Sequence, residues 1–160
     1  TSLWAKLRLI HRAWRYRLRV ERPEIAFLRR HLTRDQTALD IGACRGAFAY
    51  WMLNAVGRHG HVVAFEPIPQ LAEYLRQLQV ACRLERLTVV QTALSNTSGE
   101  RSLFVPTGGH LGTATLLARS QGYRAVGVTT HTVDQFCHDR AVRPVHFIKC
   151  DVEGHELEVL

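Results

Sequence analysis

Thr37-Ala38-Leu39-Asp40-Ile41-Gly42-Ala43-Cys44-Arg45-Gly46 is the stretch whose reading decides the fold. Thr37–Ile41 is a short run suited to a buried strand, and a glycine loop follows it. Ala47–Ala55 is apolar enough to be a packed helix, which Gly57 and Gly60 close. Working outward, His61-Val-Val-Ala-Phe65 is a second strand, stopped by Glu66-Pro67, and Pro69–Leu84 places Leu71, Leu75, Leu78 and Cys82 on one side of a helix. Leu87–Leu94 is a third strand. Strands alternating with helices of this length imply an α/β fold, a parallel sheet with helices on both faces. After Leu94 the rhythm changes: Ser95–Gly99 is a turn cluster, Arg101–Val105 and Ala125–Thr130 are strands, and a glycine-rich stretch, Thr107–Thr113, lies between them. This predicts an inserted hairpin-like region at about residues 95–131. Thr132–His138 is a short helix, and Val145–Asp151 is a fourth parallel strand.

Three groups of residues carry chemistry. The first loop has the spacing D-x-G-x-x-x-G over Asp40, Gly42 and Gly46. A pyrophosphate on a helix N-terminus expects G-x-G-x-x-G instead. Gly42 lets backbone pass close to a ligand, and Gly46 lets helix and strand pack tightly. Ligands of open α/β sheets lie at the carboxyl ends of the strands, so this loop is a candidate binding edge. Glu66 ends the next strand, where an acid accepts hydrogen bonds from both hydroxyls of a ribose. Read alone, it is an ordinary surface acid; paired with the glycine loop one βαβ step earlier, it favours a nucleoside. The third group is Lys149, Asp151 and Glu153 around the end of the fourth strand, with Gly154 turning into the next helix. Charges on a buried strand end are costly unless paired or working. An ion pair that only orders the turn is the plainer reading of Lys149, and a place in the site is preferred to it.

Together these strings, Asp40-Ile-Gly-Ala-Cys-Arg-Gly-Ala-Phe48, Ala64-Phe-Glu-Pro-Ile-Pro69, Ala93-Leu-Ser95 with Gly99, and Ile148-Lys-Cys-Asp-Val-Glu-Gly-His-Glu156, resemble the FkbM-type methyltransferase family. The likeness runs from about Thr37 to Leu160. It implies a class I methyltransferase fold, S-adenosylmethionine as cofactor, and O-methylation of a hydroxyl on a sugar or secondary metabolite. It implies that Asp40, Gly42 and Gly46 surround the methionine part of the cofactor and that Glu66 holds the ribose, with Ala43, Cys44, Pro67 and Ala93 in the same site. The family typically has Asn-Ile where this chain has Cys44-Arg45. Asp151 is the candidate base, or a cofactor-positioning group, with Lys149, Glu153 and His155 in support.

Composition bounds the rest. A chain of 160 residues, 46% hydrophobic, has the length of one domain with one sizeable core. Its net charge of +7 is uneven: residues 1–34 carry ten Lys or Arg against two acids, and the remainder carries eleven against twelve. The basic character belongs to an N-terminal helical extension over residues 1–34, ahead of a cofactor-binding domain over residues 35–160. A nearly neutral body gives no expectation of nucleic acid binding. In the extension, Leu3, Leu7, Ile10, Trp14 and Leu18 recur at spacings of three and four, predicting an amphipathic helix over residues 3–20, and Glu24–His31 is a second short helix after Pro23. With Trp4, Trp14 and its arginines this helix fits a membrane surface. Packing of its apolar stripe on its own domain is preferred.

Cys44, Cys82, Cys137 and Cys150 form no C-x-x-C pair, which fits a reduced, cytoplasmic setting. His59 and His61 flank Gly60 without nearby acids, and His110, His131, His138, His146 and His155 show no ligand spacing, so no metal is expected. Gly108–Thr115 reads equally as a substrate lid or a loop. The chain opens at Thr1 and stops at Leu160 inside an amphipathic run that has just begun a helix, so it is expected to be the front of a longer domain whose last strands follow. The residues and the resemblance together point to an S-adenosylmethionine-dependent methyltransferase acting on a small-molecule or glycan hydroxyl. Its rivals are a nicotinamide-dependent reductase, disfavoured by the loop spacing, and a non-catalytic binding module built on the same fold.

Overall fold

A computed structural model describes residues 2–108, 111–119, 121–142 and 144–160. Four strands form a wholly parallel sheet: β1 (Thr37–Ile41), β2 (His61–Phe65), β3 (Leu87–Val90) and β7 (Phe147–Cys150), in the order β3-β2-β1-β7. Three more strands, β4 (Ala93–Leu94), β5 (Gly99–Pro106) and β6 (Tyr123–His131), form a second sheet in the order β4-β6-β5. The helices are α1 (Ser2–Arg15), α2 (Arg22–His31), α3 (Ala47–Val56), α4 (Pro69–Cys82), α5 (Val133–Asp139) and α6 (Glu156–Val159).

The four residues after the first of both β1 and β2 are buried, as near-continuous apolar runs are in a sheet covered on both faces. Side chains alternate across the sheet. Ala38, Val62 and Ala64 face a core that includes Ile25 and Leu28 of α2, Phe48 and Met52 of α3, and Leu75 of α4. Leu39, Ile41, Val63 and Phe65 face the opposite core with Phe136 of α5 and Val159 of α6. Phe65 meets Phe136 edge-on at 4.8 Å. The apolar sequence of α3 now has its reason: the helix is buried nearly all round, between the sheet and the N-terminal helices.

The third strand differs from the expectation of one run to Leu94. It breaks at Gln91 and Thr92, and the chain leaves the first sheet for the second. Thr92 Oγ1 donates to the Thr129 carbonyl at 2.7 Å, which holds that exit open. β4 then pairs parallel to β6, Ala93 opposite Thr130, while β5 and β6 form an eight-pair antiparallel hairpin. Ile68, Leu71, Ala93, Leu103, Val105 and Val128 pack this second sheet onto the start of α4.

The N-terminal helix also departs from expectation. It is α-helical only to Arg15 and passes into a π-helical turn over Tyr16–Val20. Its buried residues are Leu9 and Ala13; of the stripe, Ile10 is half-buried and Trp14 meets Trp51 edge-on at 5.4 Å, while Leu3, Leu7 and Leu18, with Trp4, stay exposed. The preferred reading, that the apolar stripe packs on the domain, is therefore corrected for Leu3, Leu7 and Leu18. The small side of the helix lets α1 lie close against α3 and α4, with Leu9 reaching toward Gly46.

Candidate functional site

At the carboxyl ends of β1, β2 and β7 a cavity of about 640 Å³ opens. Its floor is the loop after β1. Gly42, Cys44 and Gly46 all take positive φ, and Gly42 and Ala43 both donate to the Phe65 carbonyl, at 3.1 and 3.0 Å, so the loop is folded over the end of β2. A Cβ on Gly42 would lie 2.0 Å from the Asp151 carbonyl oxygen. Glycine is thus required here first by the close approach of the chain after β7. Gly46 caps α3 and does not line the cavity; a Cβ there would crowd Leu75 at 3.0 Å.

Glu66 is 4% exposed and lines the cavity. Its Oε2 accepts from the Cys44 N–H and its Oε1 from the Ile68 N–H, both at 2.9 Å. One carboxylate therefore ties the glycine loop to the entrance of α4, and each oxygen keeps a further lone pair. Burial raises its pKa to about 7 against the lowering effect of those two N–H donors. The Cys44 link runs through the backbone, so it does not depend on which side chain occupies that position. The Cys44 thiol is itself pushed up by burial and then by the charge of Glu66. Pro67 and Ala93 line the same wall.

Lys149 occupies the centre of the third group. Its Nζ donates to the Gly42 carbonyl at 3.2 Å, lies 3.4 Å from Asp151 and 3.7 Å from Asp40, and sits 5.0 Å from the centre of the Phe48 ring. Burial works against its charge, but Asp40 and then Asp151 outweigh it, and its pKa is raised. Asp40 is fully buried, facing the Lys149 ammonium and the Ala49 N–H. Burial raises its pKa despite the neighbouring ammonium. Its side chain lies behind Lys149 rather than on the cavity wall, so the expected direct place around a ligand is replaced by an indirect one: Asp40 holds Lys149, and Lys149 holds the Gly42 carbonyl. Asp151 is about half exposed and, with Glu153, lines the cavity. The Glu153 carboxyl is raised by partial burial and then by Asp151.

His155 does not join them. It is buried away from the cavity, with Nε2 3.0 Å from Ser95 Oγ and Nδ1 3.5 Å from Glu158. Its position at the start of α6 turns the ring toward β4, so it links the two sheets and does not support Asp151.

Several lining residues escape a reading by motif. Arg8, His11, Arg12 and Arg15 of α1, with Tyr16 and Glu21, form one side of the cavity. Arg12 is fixed there, donating to the Arg45 carbonyl at 3.1 Å and the Tyr74 hydroxyl at 3.0 Å. Their only sequence signal is a basic helix, whose facing depends on what it packs against. From the insert, Leu111–Thr113 and Ala114–Leu116 close the opposite side, and the Thr115 hydroxyl donates to the Glu153 carbonyl at 2.9 Å. Gly109 and His110 of the suggested lid lie outside the described residues. Among the described residues, no three His, Cys, Asp or Glu side chains are grouped as metal ligands, and no helix is long and apolar enough to cross a membrane.

The sequence matches the methyltransferase FkbM domain over residues 40–160. The chain belongs to this family. Its fold is that of the class I methyltransferases: the coordinates resemble the FkbM methyltransferase of Methylobacillus flagellatus KT with a TM-score of 0.53 and 18% identity, over 79% of this chain and 28% of that one. A SAM dependent methyltransferase from Aquifex aeolicus gives a TM-score of 0.45 and 23% identity, over 51% of this chain and 43% of that one. The chain thus spans less than half the length of either solved relative. Among curated proteins none matches it. The FkbM match begins at Asp40, so α1 and α2 lie outside it, and α1 nonetheless walls the cavity.

Proposed function

We propose that this FkbM domain binds S-adenosylmethionine in the cavity and methylates a hydroxyl of a small molecule or glycan. The observation that carries the reading is Glu66: a buried carboxylate, at the end of the strand beside the glycine loop, that lines a cavity of about 640 Å³. Burying a carboxylate without a ligand to receive is costly, and its two N–H donors offset only part of that cost. Glu66 would accept the two ribose hydroxyls. Gly42, Ala43 and Cys44 would face the amino-acid end, with Ala93 and Pro67 against the base. When bound, the cofactor supplies a methyl group made electrophilic by a sulfonium.

The chain's own part is then positioning and proton removal. Holding an acceptor oxygen in line with the methyl accounts for up to about 7–11 kcal/mol of barrier in favourable cases. Asp151 is the carboxylate on the open side of the cavity, and it would take the proton of the acceptor hydroxyl. Lys149 keeps Asp151 and the Gly42 carbonyl in fixed relation.

The test is calorimetry of the chain with S-adenosylhomocysteine, with NADH as control. Glu66→Ala should weaken binding at least about tenfold, since charge-assisted hydrogen bonds are worth about 1.5–3 kcal/mol each. Asp151→Asn should leave affinity within about twofold, as expected of a group whose work lies in the transition state. An unchanged affinity in Glu66→Ala, or preferential binding of NADH, would refute the assignment.

A further inference from the structure

We propose that the outward face of α1 docks on the surface of an anionic lipid bilayer. The proposal stands apart from the cofactor reading and rests on which way the helix faces. At about 100° per residue, Leu3, Trp4, Leu7 and Trp14 fall on one side of α1, and Leu18 continues the line into the π-helical turn. The side packed on the domain is the opposite one, carrying Leu9 and Ala13. A surface helix normally turns its apolar stripe inward. This one presents Leu3, Trp4, Leu7 and Leu18 to solvent, with Trp4 68% and Leu18 57% exposed, while Trp14 at the edge of the stripe also meets Trp51 edge-on. The inversion is held by specific contacts: Trp51 Nε1 donates to the Ala13 carbonyl at 2.9 Å, and Arg12 is bound to Arg45 and Tyr74.

Charge selects the occupant. Residues 1–20 carry six Lys or Arg and no acid. Lys6 flanks the exposed stripe on one side, and Arg8, Arg15 and Arg19 flank it on the other; all four are exposed. Basic side chains bordering an apolar face can lie along it and reach out to phosphate oxygens, while indole rings settle at the boundary between headgroup and acyl chain. A second copy would bring the same positive charge and repel. Nucleic acid would take the arginines and leave the leucines and tryptophan in water. A bilayer with anionic headgroups satisfies both at once. Docking in this pose also sets the cavity rim formed by Arg8, His11, Arg12 and Arg15 beside the headgroups.

The experiment is co-sedimentation of the chain with sucrose-loaded vesicles of phosphatidylcholine alone and of phosphatidylcholine mixed with phosphatidylglycerol. Wild type should pellet with the mixed vesicles, remain in solution with the neutral ones, and be partly released by salt. The double variant Trp4→Glu, Leu7→Glu should bind the mixed vesicles at least about tenfold less, with an unchanged melting temperature because both side chains are exposed. Absence of pelleting with mixed vesicles overturns the proposal. So does pelleting that survives the double variant, which would be adsorption by charge alone. Self-association of wild type, abolished by the double variant and without vesicle binding, would assign the face to a second copy and likewise overturn it.

Discussion

Replacing Lys149 by Met tests the idea that an ion pair beneath the cavity floor holds the glycine loop. Met keeps most of the volume and the contact with Phe48, and removes the charge beside Asp40 and the donor to the Gly42 carbonyl. Two routes give the size of the effect. Removing one member of a buried pair costs about 3–5 kcal/mol. Alternatively Asp40 takes up a proton: keeping a carboxyl of ordinary pKa 3.8 neutral at pH 7 costs about 4 kcal/mol, at about 1.4 kcal/mol per pH unit. The routes agree, so Lys149→Met should lose about 4 kcal/mol at pH 7 in urea unfolding followed by circular dichroism. The sign of the pH dependence follows. Asp40 would have a folded pKa above its unfolded value, so the native state holds the extra proton, and the relative stability of the variant is fully present below about pH 4 and lost as pH rises. Because Asp40 is already raised beside Lys149 and rises further without it, the deficit should shrink on acidification from pH 7, by at most about 1.4 kcal/mol per unit. Adding Asp40→Asn should recover roughly half of it, the remainder being an amide without good partners. A deficit under about 1 kcal/mol, independence of pH, or failure of Asp40→Asn to rescue would refute the reasoning.

Three further outcomes follow from the same geometry. Gly42→Ala should destabilise the domain by several kcal/mol, because a Cβ would collide with the Asp151 carbonyl and φ is +76°; a melting curve matching wild type would refute the close approach. Glu66, at about 7 when folded against 4.5 in the unfolded chain, contributes stability that is fully present below pH 4.5 and lost as pH rises through about 7, up to about 3 kcal/mol, and Glu66→Gln should flatten that part of the pH–stability profile. His155→Ala should lower stability by about 1–3 kcal/mol through loss of its buried contact with Ser95, with affinity for S-adenosylhomocysteine unchanged in calorimetry.

The parallel sheet was legible because β1 and β2 are mostly apolar runs, and such runs, spaced by helices and stopped by Gly57 and Pro67, have few other ways to bury themselves. Glu66 was legible for a similar reason: an acid at the end of such a strand has to meet a ligand or a donor, and here two backbone N–H groups reach it. Roles set by side-chain direction were not legible. Asp40 and Gly42 are two residues apart in one motif, yet Asp40 is still part of β1 and buried under the floor, while Gly42, at φ +76°, has left the strand and forms the floor itself. His155 follows Glu153 by two residues, but the turn into α6 aims it at Ser95, which precedes it by 60 residues. The periodicity of α1 set out its apolar and basic faces without saying which would be inward. That choice was made by Trp51, Tyr74 and the Arg45 carbonyl, partners from α3, α4 and the glycine loop that meet α1 only when the sheet has brought them together. A pattern along a chain fixes what a face is made of; what it touches depends on contacts between residues far apart in sequence.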